Sequence, residues 1–146
     1  MQPPFHYEIS TDRNRLDVAL IHEFLRSSYW AQGIPRAVVE GSIQHSLCFG
    51  AYLEERQVGF ARVISDFAVF AFVADVFVVP EHRGRGISKQ LMRAIVGHPD
   101  LQGLRRLLLA TRDAHGLYAQ FGFEPLTHPE YYMTIHNPDV YRPAKT

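Results

Sequence analysis

Hydrophobic positions recur along this chain with two different periods, and each change of period marks a new element. Residues 5–9, Phe-His-Tyr-Glu-Ile, alternate weakly and predict a first strand. Leu16, Leu20, Ile21, Phe24 and Leu25 then fall at helical spacing with polar residues between them, and Asp12 is placed to cap that helix. Gly33-Ile-Pro35 breaks the pattern, and Pro35 suits the first turn of a second short helix reaching His45. From Leu47 the period shortens. Residues 47–53, 58–64 and 70–79 are dense in aromatic and β-branched side chains and are separated by polar turns, so a three-stranded antiparallel meander is expected. After the loop Glu81-His-Arg-Gly-Arg-Gly86 comes a helix with Ile87, Leu91, Ala94 and Ile95 on one face and Gly97 with Pro99 as its stop. Residues 104–111 predict another strand, a short helix runs through Tyr118 and Phe121, and residues 131–135 predict a last strand. Strands and helices mix without strict alternation, which is the signature of an α+β domain rather than a doubly wound sheet.

No repeat, low-complexity tract or linker-like stretch divides the sequence, so residues 1–146 read as a single domain. Fifteen basic and fifteen acidic side chains (Lys+Arg 15, Asp+Glu 15) leave no net charge, which argues against a general nucleic-acid binder. The most apolar stretch, residues 67–79, is interrupted by Asp75 and is too short for the ~20 residues of a membrane span. Met1-Gln-Pro-Pro has none of the features of a signal peptide, and one cysteine cannot form an internal disulfide; a cytoplasmic protein with no membrane partner is expected. The eight histidines show no paired ligand spacing, so no metal is expected. Cys48, between Leu47 and Phe49, reads as core packing, with a Cys48–His45 nucleophile pair as the remote alternative.

The segment from Asp75 to Met92 carries the most chemistry. It reads as strand, glycine-bearing turn and amphipathic helix, and a helix that starts at such a turn offers unpaired N–H groups and the positive end of its dipole to an anion. Gly84 and Gly86 let the backbone approach a phosphate, and Arg83, Arg85 and Lys89 add charge. A basic surface turn would look the same. The Walker spacing is absent, and the dinucleotide fingerprint fails because Lys89 stands where its third glycine belongs.

The same segment resembles motif A of the GNAT superfamily of N-acetyltransferases, Arg/Gln-x-x-Gly-x-Gly/Ala after a β-strand. Arg83 fills the first position, Gly86 the second, and Ser88 stands at the third in place of glycine or alanine. Downstream, Leu117-Tyr-Ala-Gln-Phe-Gly-Phe123 resembles the family's Leu/Phe-Tyr-x-x-x-Gly-Phe signature. The resemblance implies a central mixed, largely antiparallel sheet flanked by helices and splayed between the strands at about 72–79 and 104–111. It also implies acetyl-CoA as acyl donor, its pyrophosphate on the N–H groups of Arg83, Gly84, Arg85, Gly86, Ile87 and Ser88. The pantetheine arm would lie along Val76, Phe77 and Val78 as an added strand would. Tyr118 would touch the cofactor and donate a proton or hydrogen bond to the departing CoA thiolate. The asparagine that many members carry near the start of the last motif has no counterpart in Thr111-Arg-Asp-Ala-His115. A homodimer is compatible with the resemblance.

Several residues keep two readings. Asp75, a carboxylate between apolar neighbours, could bind an amine or take its proton as a catalytic residue, or accept a structural hydrogen bond. Arg62 could pair with an acidic acceptor or with Asp66 or Asp75. His115 stands one helical turn before Tyr118 and could face the same cleft, or solvent. The aromatic segment from Ser28 to Pro35 could line the acceptor pocket or pack a helix end. The function expected is transfer of acetyl from acetyl-CoA directly to a primary amine. The alternatives are a CoA-binding regulatory module without transferase activity and a nucleotide-binding module.

Overall fold

The computed structural model describes residues 6–142. Five strands form one sheet in sequence order: β1 (Tyr7–Ser10), β2 (Leu47–Leu53), β3 (Arg56–Ser65), β4 (Phe70–Val78) and β5 (Arg106–Leu109). The first four pair antiparallel, and β5 joins β4 in parallel after the crossover through α3 (Ile87–Val96). Helices α1 (Val18–Arg26) and α2 (Arg36–Gln44) connect β1 to β2, and α4 (His115–Ala119) follows β5. The expected meander is present with nearly the expected limits, and the whole is the α+β, mixed and largely antiparallel sheet that the pattern implied.

Helices cover both faces of the sheet. On one, the Phe77 ring of β4 stacks on Phe24 of α1 with centroids 4.0 Å apart, and Phe60 of β3 leans on the same ring. On the other, a side chain at Gly59 would stand 3.2 Å from Ile87 Cγ2, so the missing Cβ is what lets the start of α3 settle onto β3. Cover on both sides explains why β2 is a continuous apolar run rather than an alternating one: Cys48, Phe49, Ala51 and Tyr52 are all buried.

Four local expectations are corrected. Asp12 does not cap α1; its carboxylate accepts the Asn14 N–H at 2.9 Å and closes a 3-10 turn over Arg13–Arg15. Leu16 is extended, and Asp17 takes the cap by accepting the Leu20 N–H at 3.1 Å. Pro35 is the extended residue before α2 rather than its first helical one. The strand expected at 104–111 is reduced to the four residues of β5, because its partner β4 turns away beyond Val73. Residues 131–135 are not a strand. Pro129–Tyr131 form a 3-10 turn, and Tyr132 is extended (φ −104°, ψ 135°), but no strand lies beside the segment among the described residues. Phe5, placed in the first predicted strand, lies outside the described residues.

Candidate functional site

The parallel ladder between β4 and β5 runs from Phe70↔Arg106 to Val73↔Leu109 and stops. β4 continues against β3 as far as Val78, so its second half has a neighbour on one side only. The cause is a β-bulge. On β3 one residue separates Phe60 from Arg62, whereas on their partners Phe77 and Ala74 two residues, Asp75 and Val76, intervene. Asp75 absorbs the extra residue in the left-handed region (φ +56°), a conformation that aspartate tolerates better than its β-branched neighbours would. The expected splay is therefore present, and it starts at the bulge.

A cleft of about 420 Å³ opens where the strands part, walled by Asp75 and Val76 of β4, Leu109 and Thr111 after β5, Tyr118 of α4 and the aromatic pair Tyr29 and Trp30. The segment between α1 and α2 thus reaches the cleft, as its concentration of aromatics suggested. Asp75 is held from two sides. Its Oδ2 accepts Arg62 Nε–H at 2.8 Å and its Oδ1 accepts the Trp30 indole N–H at 2.9 Å, while Arg62 Nη1 also donates to Ser46 Oγ. The alternatives for Arg62 resolve to Asp75; Asp66 instead caps its own turn, accepting from the Ala68, Val69 and Phe70 N–H groups. Those hydrogen bonds hold the Asp66 carboxyl below the usual range.

Tyr118 is half-buried, its ring edge-on to Phe123 with centroids 6.0 Å apart. Burial, and to a smaller degree Tyr29 and Asp113, push its phenol above the ordinary value. α4 begins where Thr111 Oγ1 accepts the Ala114 N–H at 3.0 Å. His115 does not border the cleft; with Tyr118 it borders a second groove along the outer side of β5. Arg112, which the sequence did not single out, lies with Cζ 3.9 Å from the Tyr29 ring and closes the rim. Cys48 is a core residue. Its thiol is buried beside the carbonyls of Ile43 and Ser46, and burial raises it to about 11. A thiol so reluctant to ionise is a poor nucleophile, which leaves the Cys48–His45 pair without support.

At the far end of β4, Gly84 (φ +77°) and Gly86 (φ +80°) take the left-handed conformation, and nothing lies within 4 Å of where a Cβ would stand at either. The backbone is thus open to an approaching group, and no side chain caps the start of α3. The two arginines also make bonds within the protein. Arg83 Nε donates to Val78 O at 3.0 Å, and Arg85 Nη1 donates to Tyr7 Oη at 3.0 Å, beside His82. Both side chains brace the turn, one to β4 and one to β1. Val76 borders the cleft, whereas the side chains of Phe77 and Val78 are buried in the core, leaving their backbone as the part able to face a ligand. Among the described residues no group of three or more His, Cys, Asp or Glu is arranged to hold a metal.

A family model described as an acetyltransferase (GNAT) domain matches residues 44–125. A candidate acetyltransferase of Gibberella zeae is 31% identical over 137 aligned residues, 78% of this chain and 76% of that protein. The crystal structure of a candidate GNAT acetyltransferase from Xanthomonas campestris pv. campestris is 56% identical and superposes with a TM-score of 0.92, covering 94% of this chain and 98% of that one. A Clostridium acetobutylicum protein solved with acetyl-CoA, at 13% identity and a TM-score of 0.64 over 90% of this chain and 96% of that one, shares the fold. The matched region runs from β2 through the bulge, the glycine turn and α4, which is the whole of the cleft except its aromatic lip. The chain belongs to the GNAT family of acetyltransferases.

Proposed function

We propose that residues 1–146 form one N-acetyltransferase domain that moves the acetyl group of acetyl-CoA directly to a primary amine. The observation that carries this reading is the half-paired state of β4, with Tyr118 standing at the point of divergence. Backbone groups of Val76, Phe77 and Val78 are free on the β5 side to pair with the amide-bearing pantetheine arm as they would with a strand. The turn from Arg83 through Gly84, Arg85, Gly86 and Ile87 to Ser88 meets the pyrophosphate with N–H groups at the positive end of α3. Because Arg83 and Arg85 are braced internally, the main chain supplies most of that grip.

The acceptor enters from the aromatic lip of Tyr29 and Trp30. Its nitrogen attacks the thioester carbonyl, the C–S bond breaks, and the Tyr118 hydroxyl hydrogen-bonds the charge that develops on sulfur. Asp75 holds the lip through Trp30 and places a carboxylate beside the incoming amine, which must shed a proton because an alkylamine has a pKa near ~10. The buried, unpaired Cys48 suits a reducing compartment, in keeping with a cytoplasmic enzyme. The test is a steady-state assay for free CoA over a panel of small amines, amino acids and peptides, run beside a CoA thermal-shift titration. Turnover with at least one amine, lost in Tyr118→Phe, is expected. A CoA-dependent shift with no turnover on any amine would instead identify a CoA-binding module.

A further inference from the structure

Arg112 is the cation in the wall of the cleft between β4 and β5, and no acid among the described residues pairs with it. The nearby Arg62 is consumed by Asp75. Arg112 instead lies over the Tyr29 ring, with Cζ 3.9 Å from the ring centroid. A guanidinium seated on a ring in this way keeps its N–H edge for an anion, and its planar fork matches a carboxylate.

That seat is fixed from the core outward. Phe77 stacks on Phe24, Phe24 meets Trp30 at 6.4 Å, Trp30 meets Tyr29 edge-on at 5.0 Å, and Tyr29 carries Arg112. Trp30 is also bonded to Asp75. A solvated arginine has no need of such a seat. A recognition group gains from it, because a group already held in place loses less freedom on binding. Tyr29 is also near the reacting end, since it and Asp113 both help to push the Tyr118 phenol up. The guanidinium and the Tyr118 hydroxyl thus lie on either side of one side chain. The wall they share is apolar, with Phe72, Val73 and Leu109 in it. The cleft volume of about 420 Å³ suits a small molecule, for which ~300–1,000 Å³ is usual.

We infer that the acceptor is a free α-amino acid with an apolar side chain, and that Arg112 selects it by holding its carboxylate at the lip of the cleft. The inference rests on the acetyl-transfer reading and gives its acceptor a class. The carboxylate meets the Arg112 fork, the apolar side chain lies against Val73 and Leu109, and the amine faces the Tyr118 end. There the α-amino nitrogen forms the C–N bond to the acetyl carbon as the C–S bond breaks. The proton that the nitrogen sheds balances the one that CoA gains as it leaves as the thiol.

Kinetics on matched acceptors test this, with L-leucine, L-methionine and L-phenylalanine set against their carboxamides. Arg112→Met should lower kcat/KM on the acids, through KM, by about ten- to a hundredfold more than on the amides, as expected for loss of a charge-assisted pair. The differing basicity of the amines cancels in that comparison. Arg112→Lys, which keeps the charge and loses the fork, should restore part of the preference. Calorimetric titration of the same acids onto protein saturated with CoA reads recognition without turnover, and that binding should be lost in Arg112→Met. Equal losses on acids and amides overturn the inference, because Arg112 then only packs the lip. So does the absence of both binding and turnover with every acid. Binding of the acids that depends on Arg112 but leads to no turnover upholds the selection and overturns the acetyl-transfer reading. Turnover of amines regardless of a carboxylate does the reverse.

Discussion

The indole N–H of Trp30 reaches across the cleft to Asp75 Oδ1, at 2.9 Å, and so fastens the loop between α1 and α2 to the bulge in β4. Arg62 completes the arrangement from the other side, with only 15% and 10% of the Arg62 and Asp75 side chains exposed. A pair so enclosed contributes little by existing and costs a great deal when one member is lost. Asp75→Asn should therefore destabilise the protein by about 3 kcal/mol, because it strands the Arg62 charge. Trp30→Phe keeps an aromatic ring and loses one hydrogen bond, worth about 1 kcal/mol. Urea denaturation of both variants measures the difference, and a milder effect from Asp75→Asn than from Trp30→Phe would contradict this account.

Gly86 combines a left-handed backbone with empty space where its side chain would be. Gly86→Val adds a strained conformation, about 1–2 kcal/mol, and puts a branched side chain into the space of the proposed pyrophosphate site. Isothermal titration should find CoA binding abolished in a folded protein. Arg83→Ala should weaken binding far less, because its guanidinium is turned toward Val78 O and the N–H groups remain.

For Tyr118 the expected signature is kinetic. Tyr118→Phe preserves the packing on Phe123 and removes only the hydroxyl, so kcat should fall ~10²-fold with CoA affinity nearly unchanged. Burial keeps the phenol protonated to a higher pH than an exposed tyrosine, so any alkaline limb due to it should lie above pH ~10. A limb at the same pH in the wild type and in Tyr118→Phe would assign that ionisation to another group.

Stability should decline on the alkaline side. The Cys48 thiol is raised to about 11 in the folded state, so its contribution is complete below the unfolded thiol value and is lost as pH rises toward 11. At 1.36 kcal/mol per pH unit, the two-unit rise above the reference value of 9.0 amounts to about 2 to 3 kcal/mol. Tyr52 and Tyr118, also raised by burial, act in the same direction at higher pH. Denaturation midpoints measured from pH 8 to 11 should fall, and Cys48→Ala should flatten the first part of that fall.

What the sequence made legible was whatever depends on neighbours along the chain. The meander, α3 with its Gly97 stop, the glycine turn and the tyrosine signature all rest on local spacing, and each stands within a residue or two of its expected place. The assignment of Asp12 as the cap of α1 failed because two aspartates compete there, and only the extended backbone of Leu16 decides between them. The choice of Asp75 for Arg62 depends on the register of β3 against β4 and on a bulge, neither of which leaves a mark on composition. Likewise, the bonds from Arg83 to Val78 O and from Arg85 to Tyr7 Oη were not legible, because those acceptors come within reach only once β4 and β1 are folded beside the turn. The alternation at 131–135 is that of a strand, but a strand also needs a neighbour, and no described strand pairs with the segment.

β4 is an interior strand for its first half and a border for its second. The two kinds of surface at the cleft therefore change by different rules. Beyond Val73 the border is main chain, identical whatever residues carry it, while the opposite lip is made of the side chains of Tyr29, Trp30 and Arg112. Substitution can redraw the lip without touching the border. On the proposed reading, a new acceptor would be accommodated by a handful of changes in two loops, with the donor's half of the cleft left as it is.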